Sequence, residues 1–397
     1  MSLSKYLFAA VFVTFIFAVS AFMVFDAYPS AVNTVKQSFS SLSEPFEADL
    51  FYQTIENSVY SRSRFRQECR ILYSHVQAAL QKRETRNFYY IKDLDGFLHP
   101  GNLYQALDSG TMSYAKRVAR LKEAVSGTPV LFVASPDRYD YGRTRIQDGY
   151  PVDVVSPRNM DELLLNLHFL GVDTLDLRYS PLAEWPQEEL FYRTDRRWTT
   201  QAAFGAFCIL VGELEEKYGL TLDPRGFYRD SDNYRVVTYP ESYLGDMGKS
   251  VGIPFSGGSE DFSVVLPEFD MSFEVRSGSR QEEGSFETSV LNLAQLAEPE
   301  LLSRNSYDVY LNGDRSTHTI KNPGAKDAPR LLLIGDSFFT PVAAYLATVF
   351  SEVTMLSVSV GNPEDIEQHV LDHSYDYILI AYNSAGMNDK AFPFLKS

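Results

Sequence analysis

The spacing of apolar residues changes several times along the chain, and each change predicts a different element. Tyr6 to Phe25 is an uncharged run about as long as a bilayer-spanning helix, which takes roughly 20 residues. Polar, serine-rich sequence from Asp26 to Pro45 reads as a stalk. From Phe51 to about Lys82, the positions Phe51, Ile55, Val59, Leu72, Val76 and Leu80 fall near helical spacing. Tyr89 to Leu98, with Asp95-Gly96 at its centre, predicts a hairpin. Beyond it, helical and continuous apolar stretches alternate. A helix over 112–125 precedes the strand 129–134, and a helix over 160–170, stopped by Gly171, precedes the strand 172–177. Continuous apolar runs of this length are strands buried on both faces, and their alternation with helices predicts βαβ units around a parallel sheet.

Between about 221 and 328 the alternation lapses. Gly, Ser, Asp and Glu dominate, with short strand-like runs such as Phe262 to Leu266 and Tyr307 to Leu311. This stretch reads as a β-rich insertion folded against the sheet. The alternating pattern resumes with the strand Leu331 to Ile334. A helix follows from Pro341 with Thr340 as its cap, then a strand at 352–358, a helix at 363–371 and a strand at 377–381. The fold class predicted is α/β, a doubly wound parallel sheet with a β-rich insertion.

Two stretches carry candidate chemistry. The first is LLLIGDSFFT, residues 331–340. It sets Gly335, Asp336 and Ser337 in a turn beyond the carboxyl end of a buried strand, where open α/β sheets place their ligands. Backbone N–H groups around 337–339 are expected to be free there for an oxyanion. The second is FYRTDRRWTT, residues 191–200, a loop leading into a helix whose apolar face is Phe204, Phe207, Val211 and Leu214 and which ends at Gly219. Trp198 reads as an apolar anchor for that loop. Asn383 stands just past the last strand.

Taken together, these stretches resemble the Asp-His-His-Trp (DHHW) family, SGNH-hydrolase-like relatives of the alginate-type O-acetyltransferases. The resemblance runs from about Phe88 to the C-terminus and includes Tyr192-Arg193-Thr194-Asp195, Trp198-Thr199-Thr200, Tyr307 to Gly313, Leu331 to Phe338 and Tyr377 to Asn383. It implies an SGNH-like fold and a triad built from Ser337, Asp195 and the residue at 197. Asn383 and Asp336 would position an oxyanion. It also implies a surface polysaccharide as substrate and a membrane-bound O-acyltransferase as acyl source. One departure alters the chemistry: Arg196 and Arg197 stand where the family has its two histidines, with Arg197 at the catalytic one.

A serine hydroxyl needs a neighbouring base, and a guanidinium, protonated up to a pKa above about 12, cannot be one. His318, in the stretch before the Ser337 strand, is an alternative base. Two functions therefore stand side by side. One is an O-acyltransferase or esterase of SGNH type. The other is a catalytically inactive glycan-binding or assembly subunit.

Composition narrows the remaining classes. The 397 residues are 45% hydrophobic and 22% charged, which suits a folded chain, and a formal net charge of −16 argues against nucleic acid as partner. No Cys or His spacing fits a metal site and no glycine-rich phosphate loop is present, so neither metal nor cofactor is expected. The organisation expected is a membrane anchor over 1–28, a stalk and long helix over 29–87, and an SGNH-like domain over 88–397 with its insertion at 221–328. The anchor, or else a signal peptide cleaved near Ala18-Val19-Ser20, predicts a single-pass cell-membrane protein with its globular part extracytoplasmic.

Overall fold

The computed structural model describes residues 64–394, apart from 104–105, 126, 140–142, 298–300 and 303–304, together with a few helical positions between 11 and 21. The chain divides into two compact units, residues 1–82 and 83–397. In the first, Arg64–Ala79 is a helix. Most of the apolar run at 6–25, the stalk at 26–45 and the predicted helical stretch at 51–63 lie outside the described residues. Among the described residues, no helix is long and apolar enough to cross a membrane. This stands against the expected single-pass anchor, and the extracytoplasmic placement expected from that anchor loses its basis. The longest described helix, Thr200–Tyr218, has the length but carries Glu213, Glu215, Glu216 and Lys217 at one end and packs into the protein core.

The second unit is built on one eight-stranded sheet. In chain order its strands are β1 (Val130–Ala134), β2 (Asp173–Asp176), β3 (Phe273–Ser277), β4 (Arg280–Gly284), β5 (Thr317–Lys321), β6 (Arg330–Gly335), β7 (Glu352–Ser357) and β8 (Tyr377–Tyr382). Their order across the sheet is β2-β1-β8-β6-β7-β5-β3-β4. The first five run parallel, and β6 lies between β8 and β7 as an interior strand. Its residues alternate between two cores. Leu331 and Leu333 face helices α3 (Thr200–Tyr218) and α4 (Thr340–Leu346), whereas Leu332 and Ile334 face α1 (Thr111–Ala124), α2 (Val155–Phe169) and α5 (Pro363–Asp372). Both faces are thus covered, which is why the strand reads as an unbroken apolar run.

The sheet is mixed, and not parallel throughout. Strands β5, β3 and β4 extend it antiparallel beyond β7, and all three come from the stretch where the alternation lapses. Their burial explains why they escape a search for apolar runs. β3 alternates buried and exposed positions, and β4, at the edge, keeps Gln281, Glu282 and Glu283 in solvent. Within the same stretch Tyr234–Tyr243 pairs with Glu260–Pro267 in a separate long hairpin. The Tyr307–Leu311 run is a turn and not a strand. Asn305 caps a short 3-10 helix at Ser306–Val309, and Leu311 and Asn312 then take positive φ. Both cysteines, Cys69 and Cys208, are free thiols.

Candidate active site

Ser337 leaves β6 through a turn that leaves no space for a side chain at Gly335, where a Cβ would lie 2.9 Å from the Ala381 carbonyl on β8. The next residue, Asp336, ties two loops together. Its Oδ1 accepts the N–H of Phe338 at 3.0 Å and its Oδ2 accepts the N–H of Asn383 at 2.9 Å. The cap expected of Thr340 is therefore supplied by Asp336 to a 3-10 turn, Ser337–Phe339, and Thr340 is already helical. This also corrects, for two of the three positions, the expectation of free N–H groups around 337–339. Phe338 N–H is held by the Asp336 side chain and Phe339 N–H by the Asp336 carbonyl at 3.1 Å.

The FYRTDRRWTT loop closes on itself through a bridge between Phe191 and Trp198, and Thr199 caps α3 by accepting the Ala202 N–H. Trp198 is fully buried, and its indole N–H donates to the Phe338 carbonyl at 2.8 Å, so the loop is pinned to the Ser337 turn. Beneath the loop, Arg138 donates Nε to the Leu98 carbonyl, Nη1 to Tyr192 O at 2.7 Å and Nη2 to Arg193 O at 2.8 Å. Burial lowers the Arg138 pKa to about 10, which leaves it charged at neutral pH.

These anchors bring Asp195, Arg197 and Ser337 into one hydrogen-bonded line. Arg197 Nε donates to Ser337 Oγ at 3.1 Å, and Arg197 Nη1 donates to Asp195 Oδ2 at 2.9 Å. Arg197 Nη2 pairs with Asp246 at 3.2 Å, and the guanidinium carbon sits 5.2 Å from the centre of the Tyr307 ring. Asp195 is fully buried and holds three further donors: the Tyr243 hydroxyl at 2.6 Å, the Asp246 N–H at 3.2 Å and the Arg197 N–H at 3.0 Å. Burial acts to raise the Asp195 pKa, but the Arg197 charge and these hydrogen bonds outweigh it and hold the carboxyl far below its ordinary range. Arg197, opposed by the same burial, is driven still higher by Asp195.

Tyr243 and Asp246 have no signal in the sequence that assigns them here, whereas Tyr307 opens one of the stretches that carry the family resemblance. Tyr243 and Asp246 reach the site because the connection between the two strands of the long hairpin passes very close to the loop. A Cβ at Gly245 would lie 2.3 Å from the Asp195 Cβ, so only glycine fits.

Two predicted residues sit apart from this line. Asn383 turns its amide nitrogen to Ser135 Oγ at 3.0 Å and accepts the Ala385 N–H, so its side chain is committed to neighbouring loops. His318 lies on β5 with Nδ1 against Ser277 Oγ at 2.9 Å and Nε2 accepting the Arg315 N–H at 3.4 Å. Burial, and then the Arg315 charge, lowers its pKa to about 4, so both ring nitrogens are occupied in a neutral structural contact. Among the described residues, no group of His, Cys, Asp and Glu side chains is arranged to hold a metal ion.

A cleft of about 360 Å³ is bordered by Tyr89, His99, Arg138, Arg196 and Asn383 and by Asp246, the ion-pair partner of Arg197. Asp137 also lines it, held by Ser384 and 3.5 Å from Arg178. Burial pushes both Asp137 and Asp336 up to about 6. Each is then a weaker acid folded than unfolded, where the value is near 3.9. Stability from these groups is accordingly greatest at low pH and falls as pH rises from about 4 to 6, by on the order of 3 kcal/mol for each. Urea unfolding of wild type and Asp137→Asn at pH 4.5 and 7 should show a smaller decline in the variant. Equal declines would contradict the assignment.

Residues 97–248 match the family model for the SGNH hydrolase-like domain of the acetyltransferase AlgX, a stretch that contains Asp195, Arg197, Tyr243 and Asp246. No curated protein matches the chain in sequence. Among solved structures, the fold is similar to that of PatB1 from Bacillus cereus carrying a sulfonyl adduct, at 16% identity and a TM-score of 0.60. That match covers 77% of this chain and 97% of PatB1. It is also similar to a DHHW family protein from Eubacterium siraeum, at 16% identity and a TM-score of 0.57, covering 78% of this chain and 96% of the other. The domain match and the similar fold bear out the likeness read from the sequence: residues 97–248 match an SGNH hydrolase-like acetyltransferase domain, and the fold is similar to that of PatB1 and of a DHHW family protein.

Proposed function

We propose that this chain serves polysaccharide O-acetylation as a binding protein, keeping the acetyltransferase-type pocket without its proton-transfer chemistry. The observation that carries this reading is the 3.1 Å contact of Arg197 Nε with Ser337 Oγ, in a pocket whose other member is Asp195. The hydroxyl oxygen there accepts a hydrogen bond from a permanent cation, and its own proton has no good acceptor. Asp195 already takes four donors and is a very weak base. Acyl transfer through Ser337 would require that proton to leave as the ester carbonyl is attacked. A guanidinium next to a half-exposed hydroxyl is instead a donor pair for an ester or carboxylate oxygen. The substrate class follows from the acetyltransferase relatives, and the acyl chemistry would be done by a partner acyltransferase.

Wild type should show no Ser337-dependent turnover of an activated acetyl ester and no labelling of Ser337 by a fluorophosphonate. It should bind O-acetylated oligosaccharides in calorimetry. Ser337→Ala should retain most of that binding, and Arg197→Lys, which keeps the charge but not the fork, should weaken it by about tenfold, the worth of one charge-assisted hydrogen bond. Strong turnover lost in Ser337→Ala would overturn the reading in favour of an active enzyme.

A further inference from the structure

At the cleft lies a carboxylate–imidazole pair that the reading above leaves unused. Asp93 stands at the turn between the strands Tyr90–Lys92 and Leu98–Pro100. Its Oδ1 accepts the N–H groups of Asp95 at 3.0 Å and Phe97 at 2.8 Å. Its Oδ2 meets His99 Nε2 at 2.9 Å, and both side chains are fully buried. An ionised carboxylate only accepts, so Nε2 carries the proton and Nδ1 is left as an acceptor. Among the described residues, nothing pairs with that buried Nδ1. Buried polar atoms are almost always paired, so a donor is missing. His99 lines the same cleft as Arg196 and Asp246, and the cleft is where such a donor would come from.

We infer that His99, oriented by Asp93, accepts a hydrogen bond from a hydroxyl of a saccharide unit seated in this cleft, as a specificity-determining residue; the inference rests on the polysaccharide-binding reading. A hydroxyl suits the position better than an ammonium, because burial, and after it the Arg138 charge, already disfavour positive charge at His99. It also suits the lining. Asp153 and Asp246, Arg138 and Arg196, and Tyr89 and Tyr90 all line the cleft, and a hydroxyl-rich ring can donate to the first pair, accept from the second and pack on the third.

Two variants separate this role from simple support of the hairpin. In His99→Gln the side-chain amide nitrogen takes the place of Nε2 and still donates to Asp93, but nothing replaces Nδ1. In Asp93→Asn the two backbone N–H groups keep the amide oxygen at the Oδ1 position. The amide nitrogen must then face His99 and force its proton onto Nδ1. Binding of O-acetylated and deacetylated hexose and uronate oligosaccharides should fall about tenfold in His99→Gln with the melting temperature nearly unchanged. Imidazole ¹⁵N resonances of wild type should show an unprotonated Nδ1 that shifts on adding the bound oligosaccharide, and Asp93→Asn should show Nδ1 protonated. If wild type binds and His99→Gln binds equally well, the role of His99 is wrong while the binding function stands. If wild type binds none of these oligosaccharides, the binding function itself fails and the inference falls with it. A crystal structure of the complex with only a fixed water on Nδ1 would also overturn it.

Discussion

Replacing Arg197 with histidine is expected to create esterase activity dependent on Ser337 that wild type lacks. Arg197 Nε and the Nε2 of a histidine stand equally many bonds from the Cα, so an imidazole at 197 reaches the place from which Nε now meets Ser337 Oγ at 3.1 Å. Its other nitrogen then lies on the Asp195 side, where a fully buried carboxylate, fixed by Tyr243 and the Asp246 N–H, is ready to orient it. Neutral imidazole takes the serine proton where guanidinium cannot, and general-base help of this kind contributes about 10²–10⁴-fold. Because free imidazole has a pKa near 6.5, the new activity should rise with pH through about 6 to 7 and then level off. The measurement is the rate on an activated acetyl ester for wild type, Arg197→His and Arg197→His/Ser337→Ala across that range. A further gain is not expected to be large, since the N–H groups of Phe338 and Phe339 are already spent on Asp336 and leave the site short of oxyanion donors. An Arg197→His variant with a well-ordered imidazole and no gain over wild type would show that some other part of the catalytic arrangement is missing as well.

How much of this site is legible in the sequence depends on how each residue reaches it. Ser337 and Asn383 follow strands buried on both faces, and such strands announce themselves as unbroken apolar runs. Asp195 and Arg197 sit in a loop whose ends are marked by a Trp anchor and a Thr cap. Tyr243 and Asp246 arrive differently. The strand Tyr234–Tyr243 exposes half of its residues, and the turn after it is placed by the close packing of Gly245 on Asp195, a contact distant in sequence. Nothing local encodes that. The antiparallel strands β3, β4 and β5 are hidden for a related reason: half-exposed strands carry alternating residues, and over five positions that pattern is indistinguishable from an ordinary polar loop. His318 shows the opposite limit. Its position just before β6 in the chain suggests proximity to Ser337, but β5 joins the sheet beyond β7 and the imidazole is absorbed by Ser277 and Arg315.

Removing Asp195 should destabilise the protein more than removing Arg197, although both belong to the same ion pair. In Asp195→Ala the Tyr243 hydroxyl, the Asp246 N–H and the N–H of residue 197 lose their acceptor, and the buried guanidinium keeps a direct ion pair with the half-exposed Asp246 alone among the described residues. Breaking a buried pair in this way costs about 3–5 kcal/mol. In Arg197→Ala the carboxylate retains the Tyr243 hydroxyl and two backbone N–H groups, so the loss should be nearer 1–3 kcal/mol, the cost of one desolvated charged partner. The double variant should lose less than the two single losses combined, with a coupling on the order of 1–3 kcal/mol, because the residues are in direct contact. Acidity gives an independent check. The Asp195 pKa is depressed on folding, so the stability it adds is present above the unfolded carboxyl value near 3.9 and is lost as pH falls towards the folded value. Without Arg197 the largest influence lowering that pKa disappears, burial regains the upper hand, and acid unfolding of Arg197→Ala should begin at higher pH than in wild type. Urea titrations of the four proteins at pH 7, and of wild type and Arg197→Ala between pH 5 and 2, measure both effects. Strictly additive losses, or an acid transition that does not move, would mean that Asp195 is held by Tyr243 and the backbone alone and that Arg197 is retained for what it donates to Ser337 and to a ligand.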